Sequence, residues 1–328
     1  MPASISVAGV TDAAADTALQ FTYTADAGFA SRFARATFFD RQRGSLIFAA
    51  VLLVLMVALG TREPAFLMGA VLFTVLIAVI EVVVYVEMLR AARRGGPEGD
   101  TTVVRYDDVV LRFADADIDA FIPYAKFRDV RPRGGFVVLR RASGGPSLLL
   151  PVEVCPPEAA ERVRAGIASG VVPQLDPEQF PNQATVDAGF VRAASRRVVV
   201  LLATHPSLLA IAAGVLITGG ALTAAFSDPV PIIVAVVMLI AWPVTAIIGT
   251  RSTIRKQIGT ETIWSGFDDE YMTAARGGEV VRMRYRAFDR LITDRGAAEL
   301  RVAATREWQL YPLALFPEDV RGRFAGAS

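Results

Sequence analysis

The chain has a single cysteine, Cys155, and a single histidine, His205. An intrachain disulfide is therefore impossible, and a zinc cluster built from Cys and His is excluded. Lysine is almost missing as well: of 34 basic residues, all but Lys126 and Lys256 are arginine. Neither lysine follows a glycine or precedes Ser or Thr, so there is no P-loop. G-x-G-x-x-G, G-x-S-x-G and H-E-x-x-H are absent too. A net charge of +1 carries no overall nucleic-acid signal. Residues 1–18 lack a basic region followed by an apolar core, so no cleavable signal peptide is expected and the segment reads as a flexible N-terminus. No cofactor, metal site or catalytic residue is implied, and the expectation is a protein that is not an enzyme.

Apolar residues are plentiful, at 53% of the chain with a mean hydropathy of +0.42. They concentrate in two adjacent runs, Gly44 to Gly60 and Pro64 to about Met88, with Thr61-Arg62-Glu63 between them. Each run is about as long as a bilayer core at ~1.5 Å per residue. A second pair follows, Leu208 to Phe226 and Val230 to Thr250, around a Ser227-Asp228-Pro229 turn. These read as two transmembrane hairpins, 44–94 and 208–256.

The polar segments follow a different pattern. Leu19 to Thr24 alternates apolar and polar residues, as a strand does, and Asp26 suits a helix N-cap. Phe29, Phe33 and Ala36 then share one face of a helix carrying Arg32, Arg35, Arg41 and Arg43. Residues 19–43 are thus a strand and a basic surface helix, lying at a membrane or simply solvated. Beyond the Gly95-Gly96-Pro97 loop, five strands are expected: Thr101 to Tyr106, Val109 to Phe113, Ile118 to Ile122, Phe136 to Arg140 and Ser147 to Val152. Turn residues separate them, including Asp107-Asp108, Gly134-Gly135 and Gly144-Gly145-Pro146. A helix opened by Pro156-Pro157-Glu158, with Val163 and Ile167 on one face, closes a module at 101–168. Three prolines mark 169–183 as a linker.

After the linker the chain starts again. An offset of 161 residues aligns Asp26-Ala27-Gly28-Phe29 with Asp187-Ala188-Gly189-Phe190 and Asp107-Asp108 with Asp268-Asp269. It also aligns Tyr124 with Tyr285, Gly135 with Gly296, Pro151 with Pro312 and Pro156 with Pro317. One register held over such a length is an internal repeat. The second copy is a strand and surface helix at 184–207, the hairpin at 208–256 and a module at 261–326.

Ile122-Pro123-Tyr124 after a strand, and Leu148-Leu149-Leu150-Pro151 before the last helix, resemble the YcxB-like family. These are bacterial membrane proteins with a transmembrane pair and a small domain similar to pleckstrin-homology (PH-like) modules. The family's Ile-Pro-Trp segment has Tyr124 in place of tryptophan here. Copy two, with Arg284-Tyr285-Arg286, lacks the Ile-Pro pair, and tandem duplication departs from the family's single copy. The resemblance implies a membrane α+β fold of two repeats, each a transmembrane helical hairpin followed by a β-rich PH-like module with a terminal helix. It carries no catalytic residues.

Arginines flank the hairpins on the side of the termini and modules, while the turns hold only Arg62, Glu63 and Asp228. The positive-inside rule then predicts a multi-pass protein of the bacterial inner membrane with both termini cytoplasmic. Several residues invite a chemical role. His205 before Pro206 reads either as a base or as a residue at a helix break. Glu81 and Glu87 read as membrane-embedded acids or as interfacial residues near Arg90. The Asp pairs read as cation ligands or as β-turns. Arg131, Arg133, Arg140 and Arg141, with Arg282, Arg284, Arg286 and Arg290, are candidate lipid-facing basic residues or a solvated charged face. The expected function is binding of lipid headgroups, a peptide or a membrane protein partner by two cytoplasmic modules, with the lipid bilayer as a partner and no nucleic acid. The alternative is a small-solute transporter or channel lined by the repeated hairpins.

Overall fold

Turn chemistry and alternation build fourteen strands in the computed structural model, which describes residues 18–60, 64–143, 147–204, 262–294, 296–303 and 308–325, with scattered positions between 212 and 248. Contacts divide the chain into two units, residues 1–33, 91–194 and 253–328 in one, 34–90 and 195–252 in the other.

In the first unit, β1 (Leu19–Thr24) pairs antiparallel with β2 (Thr101–Tyr106). Then come β3 (Val110–Ala114) and β4 (Ile118–Pro123), each pairing with the strand before it. A 3-10 turn at Tyr124–Lys126 leads to β5 (Phe127–Arg133), β6 (Phe136–Arg141) and β7 (Leu148–Pro151), which form a separate three-stranded sheet. The helix numbered α3 here, Pro157–Ser169, has Pro at its start and ends on Gly170 at φ 65°. Val163 is fully buried and Ile167 packs on the same core.

Copy two repeats this order. β8 (Asn182–Thr185) is followed by α4 (Ala188–Thr204) and pairs with β9 (Thr262–Phe267), after which come β10 (Tyr271–Arg276) and β11 (Glu279–Arg284). A 3-10 turn at Tyr285–Ala287 precedes the second small sheet, β12 (Phe288–Asp294), β13 (Ala297–Val302) and β14 (Trp308–Pro312). A short helix, α5 (Glu318–Ala325), closes the module with Val320 and Phe324 buried. Even the irregularities recur: the register shift at Phe127/Asp129 reappears at Phe288/Arg290.

The two modules join edge to edge. β4 pairs antiparallel with β11, giving one eight-stranded sheet in the order β1-β2-β3-β4-β11-β10-β9-β8. Ala120 lies opposite Val281, its own equivalent in the repeat, while Asp119 faces Arg282 and Phe121 faces Val280. The seam is therefore a pseudo-twofold axis through the Ala120–Val281 pair, the geometry of an isologous contact. The β4 and β11 edges are paired at this seam, where unpaired backbone groups would otherwise remain. Ile118 and Val281 pack against the cores of both modules, and Phe121 with Val280 joins a small cluster on the opposite face with Phe180 from the linker.

The same hydrogen bonds tie each module's end to its sheet. The Tyr124 hydroxyl donates to the Asp107 carbonyl at 2.8 Å, and the Tyr285 hydroxyl donates to Asp268 at 2.8 Å. The carbonyl of Val154 accepts from the Tyr106 hydroxyl, whereas its equivalent, Leu315, accepts from Ser265 Oγ, both at 2.7 Å. A buried carbonyl must be satisfied, and the two copies do so from neighbouring inward positions of one strand.

The helices correct the sequence reading. α1 (Phe29–Gly60) and α2 (Pro64–Gly95) each run for 32 residues. The expected surface helix and first apolar run are one helix, because no proline separates them and a lone glycine, Gly44, is tolerated inside a helix. Arg32, Arg35, Asp40, Arg41 and Arg43 thus share α1 with the apolar run, and Glu81, Glu87, Arg90, Arg93 and Arg94 share α2. Among the described residues no helix is long and apolar enough to cross a membrane. The membrane fold class, the four spans and the multi-pass inner-membrane topology are therefore not retained. The second hairpin, 208–256, lies largely outside the described residues, as do His205, the Thr61-Arg62-Glu63 turn and residues 1–17.

Within the second unit, Phe38 meets Tyr85 edge-on at 5.7 Å, and Ala49 and Ala70 are buried. Ile47, Val51 and Val54 are each more than half exposed, in a stripe along α1.

Candidate functional site

Most of the predicted basic residues take part in ion pairs, hydrogen bonds and ring contacts within and between the modules. Arg131 pairs with Asp129. Arg141 donates from Nη1 and Nη2 to both carboxylate oxygens of Glu279, at 2.9 and 3.0 Å, and lies over the Phe127 ring. Arg282 donates to Asp268 at 2.6 Å and stacks 4.0 Å from the Tyr271 ring centroid. Arg284 Nε donates to the Tyr271 hydroxyl, and Arg286 reaches across the seam to the Asp117 carboxylate. Arg133 and Arg140 are half-buried, and Arg290 is exposed on β12. Arg131, Arg141, Arg282, Arg284 and Arg286 are thus engaged in contacts within and between the modules.

The other candidates resolve similarly. Asp268 Oδ1 accepts from the backbone N–H groups of Glu270 and Tyr271, closing the turn between β9 and β10. Asp107 accepts from Arg105 Nε at 2.7 Å. Among the described residues no group of His, Cys, Asp and Glu could hold a metal ion. Glu87 accepts from Arg90 at 2.9 Å, one turn away on the surface of α2. Glu81 is half-buried on the same helix, and no described hydrogen-bond partner meets its Oε2. Cys155 is buried, which pushes its thiol above the usual range.

What sequence reasoning missed is a groove in module two. It lies between the face of β9–β11 and β14, with a cavity volume of about 270 Å³. Alternation places Ile263, Ala274, Val281 and Met283 on its floor. Arg276 and Glu279 are opposite one another across the β10–β11 hairpin and stand at one end. That hairpin turns on Gly277 and Gly278, both at positive φ (52° and 80°), as a two-residue turn of this hand requires. β14 supplies Gln309 and Tyr311, whose hydroxyl donates to Gln309 Oε1 at 3.0 Å. Burial pushes the Tyr311 hydroxyl up to about 12, with Arg276 pulling it down and Glu279 pushing it further up.

Module one has no such groove among the described residues, and the repeat shows why. The equivalents of Ala274, Glu279 and Gln309 are Phe113, Ile118 and Leu148, all three packed against the module-one core. Matching sheet registers secure the equivalence: Leu139 faces Leu148 as Leu300 faces Gln309. The equivalent of Arg276, Asp115, folds back to accept the N–H groups of Asp117 and Ile118. A comparison of the two copies for differences, rather than identities, would have found the groove in the sequence.

Comparison with protein-family models, with curated proteins and with solved structures returned no match. No match links the chain to the YcxB-like family or to PH-like modules, and those labels are corrected to a sheet-rich fold of three antiparallel sheets.

Proposed function

We propose that this chain is a non-enzymatic binding protein in which module one is a scaffold and module two receives the ligand. The observation that carries this reading is the groove, open in one copy and filled by Phe113, Ile118 and Leu148 in the other. A fold that repeats down to its register shifts keeps the same space in both halves. Only one half leaves that space unfilled, and it lines the opening with polar side chains over an apolar floor. Ligand sites have this composition. The described residues offer no nucleophile–base pair or metal cluster to set beside it. A path lined by the two repeated hairpins would need those helices to cross a membrane, and among the described residues none is long and apolar enough.

Fragment screening by methyl NMR on the full chain tests the reading. Ile263 and Met283 line the groove and carry reporter methyls. Fragments should shift these signals and leave them unmoved in Ala274→Phe, which restores the module-one filling. Fragment shifts confined to other methyls would refute the proposal.

A further inference from the structure

We infer that the groove of module two takes a small uncharged carbonyl compound: a flat apolar ring whose carbonyl oxygen accepts from the side-chain amide of Gln309. The inference rests on the reading of this groove as a binding site and adds the class of its ligand. Size sets the first limit. An apolar cavity of ~150 Å³ already holds benzene, so about 270 Å³ has room for one ring and a short substituent. A nucleotide does not enter such a space. Shape sets the second. The floor is one face of a sheet, built from Ile263, Ala274, Val281 and Met283, so a flat apolar body lies along it. The Met283 thioether is a favourable neighbour for an aromatic ring.

Hydrogen bonding sets the third limit. Gln309 stands on β14 directly opposite Leu300, a residue of the module-two core. Its Oε1 accepts from the Tyr311 hydroxyl at 3.0 Å, which commits the carbonyl half of the amide. The NH2 half has two donors, and among the described residues no acceptor meets them. A half-buried amide calls for an acceptor, and a ligand carbonyl lying on the floor supplies one. The charged residues at the end of the groove are already engaged. Arg276 has an interaction of its own, and both carboxylate oxygens of Glu279 accept from Arg141. An ionised group set over the apolar floor would give up its hydration in exchange for a neutral amide. The repeat supplies the contrast: the equivalents of Gln309 and Ala274 are Leu148 and Phe113, both packed against the module-one core. The amide donor and the opening therefore occur together, in the same copy.

The probe is acetophenone. It is compared with α-methylstyrene, which has the same shape with a CH2 group in place of the carbonyl oxygen, and with benzoate as the ionised counterpart. Each is titrated into the full chain by NMR, following the methyls of Ile263 and Met283 and the side-chain amide of Gln309. Acetophenone should move the methyl and the Gln309 amide signals, whereas α-methylstyrene should move the methyls alone. Gln309→Glu keeps the size and the acceptor for Tyr311 but has no N–H. It should lower the affinity ratio of ketone to hydrocarbon about fivefold, the worth of one neutral hydrogen bond. Gln309→Met serves the same purpose if that variant fails to fold, and the amide shift in the parent chain needs no variant. Methyl shifts with an unmoved Gln309 amide, or an unchanged ratio in a folded Gln309 variant, would overturn the carbonyl class while leaving the groove as a binding site. Benzoate binding more tightly than acetophenone would overturn the uncharged class in the same way. No binding of any of the three would overturn the carbonyl class too, and the fragment shifts at Ile263 and Met283 would then judge the groove separately. Acetophenone binding that survives a folded Ala274→Phe would place the site elsewhere and overturn both readings.

Discussion

Two helix glycines should respond to the same substitution with opposite signs. Gly166 in α3 lies against Tyr124: a Cβ added there would sit 2.1 Å from Cδ2, 2.7 Å from Cγ and 2.8 Å from Cβ of that residue. Tyr124 is fully buried, and its hydroxyl is fixed to the Asp107 carbonyl. The ring cannot retreat without breaking that bond. Gly166→Ala gains about 1 kcal/mol of helix propensity. Against this stand an overpacking cost of ~1–3 kcal/mol and the loss of a buried hydrogen bond, another ~1–3 kcal/mol. The net expectation is a destabilisation of about 3 kcal/mol. Gly322, in α5, is exposed and would meet nothing within 4 Å. Gly322→Ala should therefore stabilise by about 0.5–1 kcal/mol. Urea unfolding of the full chain by circular dichroism measures the global effect, and hydrogen exchange in α3 and α5 assigns it to a module. A Gly166→Ala protein within about 0.5 kcal/mol of the parent, or the same sign at both sites, would refute the packing of α3 on Tyr124.

Three further outcomes test other parts of the structure. Arg141→Leu should cost about 2 kcal/mol by leaving Glu279 half-buried without its main partner, and adding Glu279→Ile, the module-one residue, should recover at least half of that in a double-mutant cycle. Ser265→Ala should cost about 1–2 kcal/mol, because the Leu315 carbonyl loses its 2.7 Å donor. Tyr311 has a raised folded value of about 12 against 10 for the free side chain, so the native state holds the proton more tightly. Its contribution is fully present below pH 10 and is lost as the pH rises toward 12, about 2–3 kcal/mol in all. Tyr311→Phe should flatten that part of the stability profile, and an unchanged profile would contradict the burial of this hydroxyl.

The repeat and most strands were legible in the sequence, because alternation and turn residues are local signals. Leu19–Thr24 and Thr101–Tyr106 coincide with strands from end to end, and the others differ by a residue or two. β5 was not legible. Its sequence, FRDVRPR, carries three arginines and a proline, and it reads as a strand only once it is seen as the edge of a small sheet, with Phe127 and Val130 facing inward. An edge strand tolerates proline and charge on its outer positions. The apolar runs were visible too, but their helical context was not: continuity from Phe29 to Gly60 merges the charged and apolar stretches into one element. Sequence alone determined that two alike modules exist. Only tertiary structure decided that they share a sheet, because the β4–β11 pairing is a long-range choice of edge that no local pattern encodes. The groove depended on tertiary structure in the same way. Ala274, Glu279 and Gln309 are unremarkable along the chain, and they become an opening only where β14 crosses the sheet and the bulk of Phe113, Ile118 and Leu148 is missing from their positions.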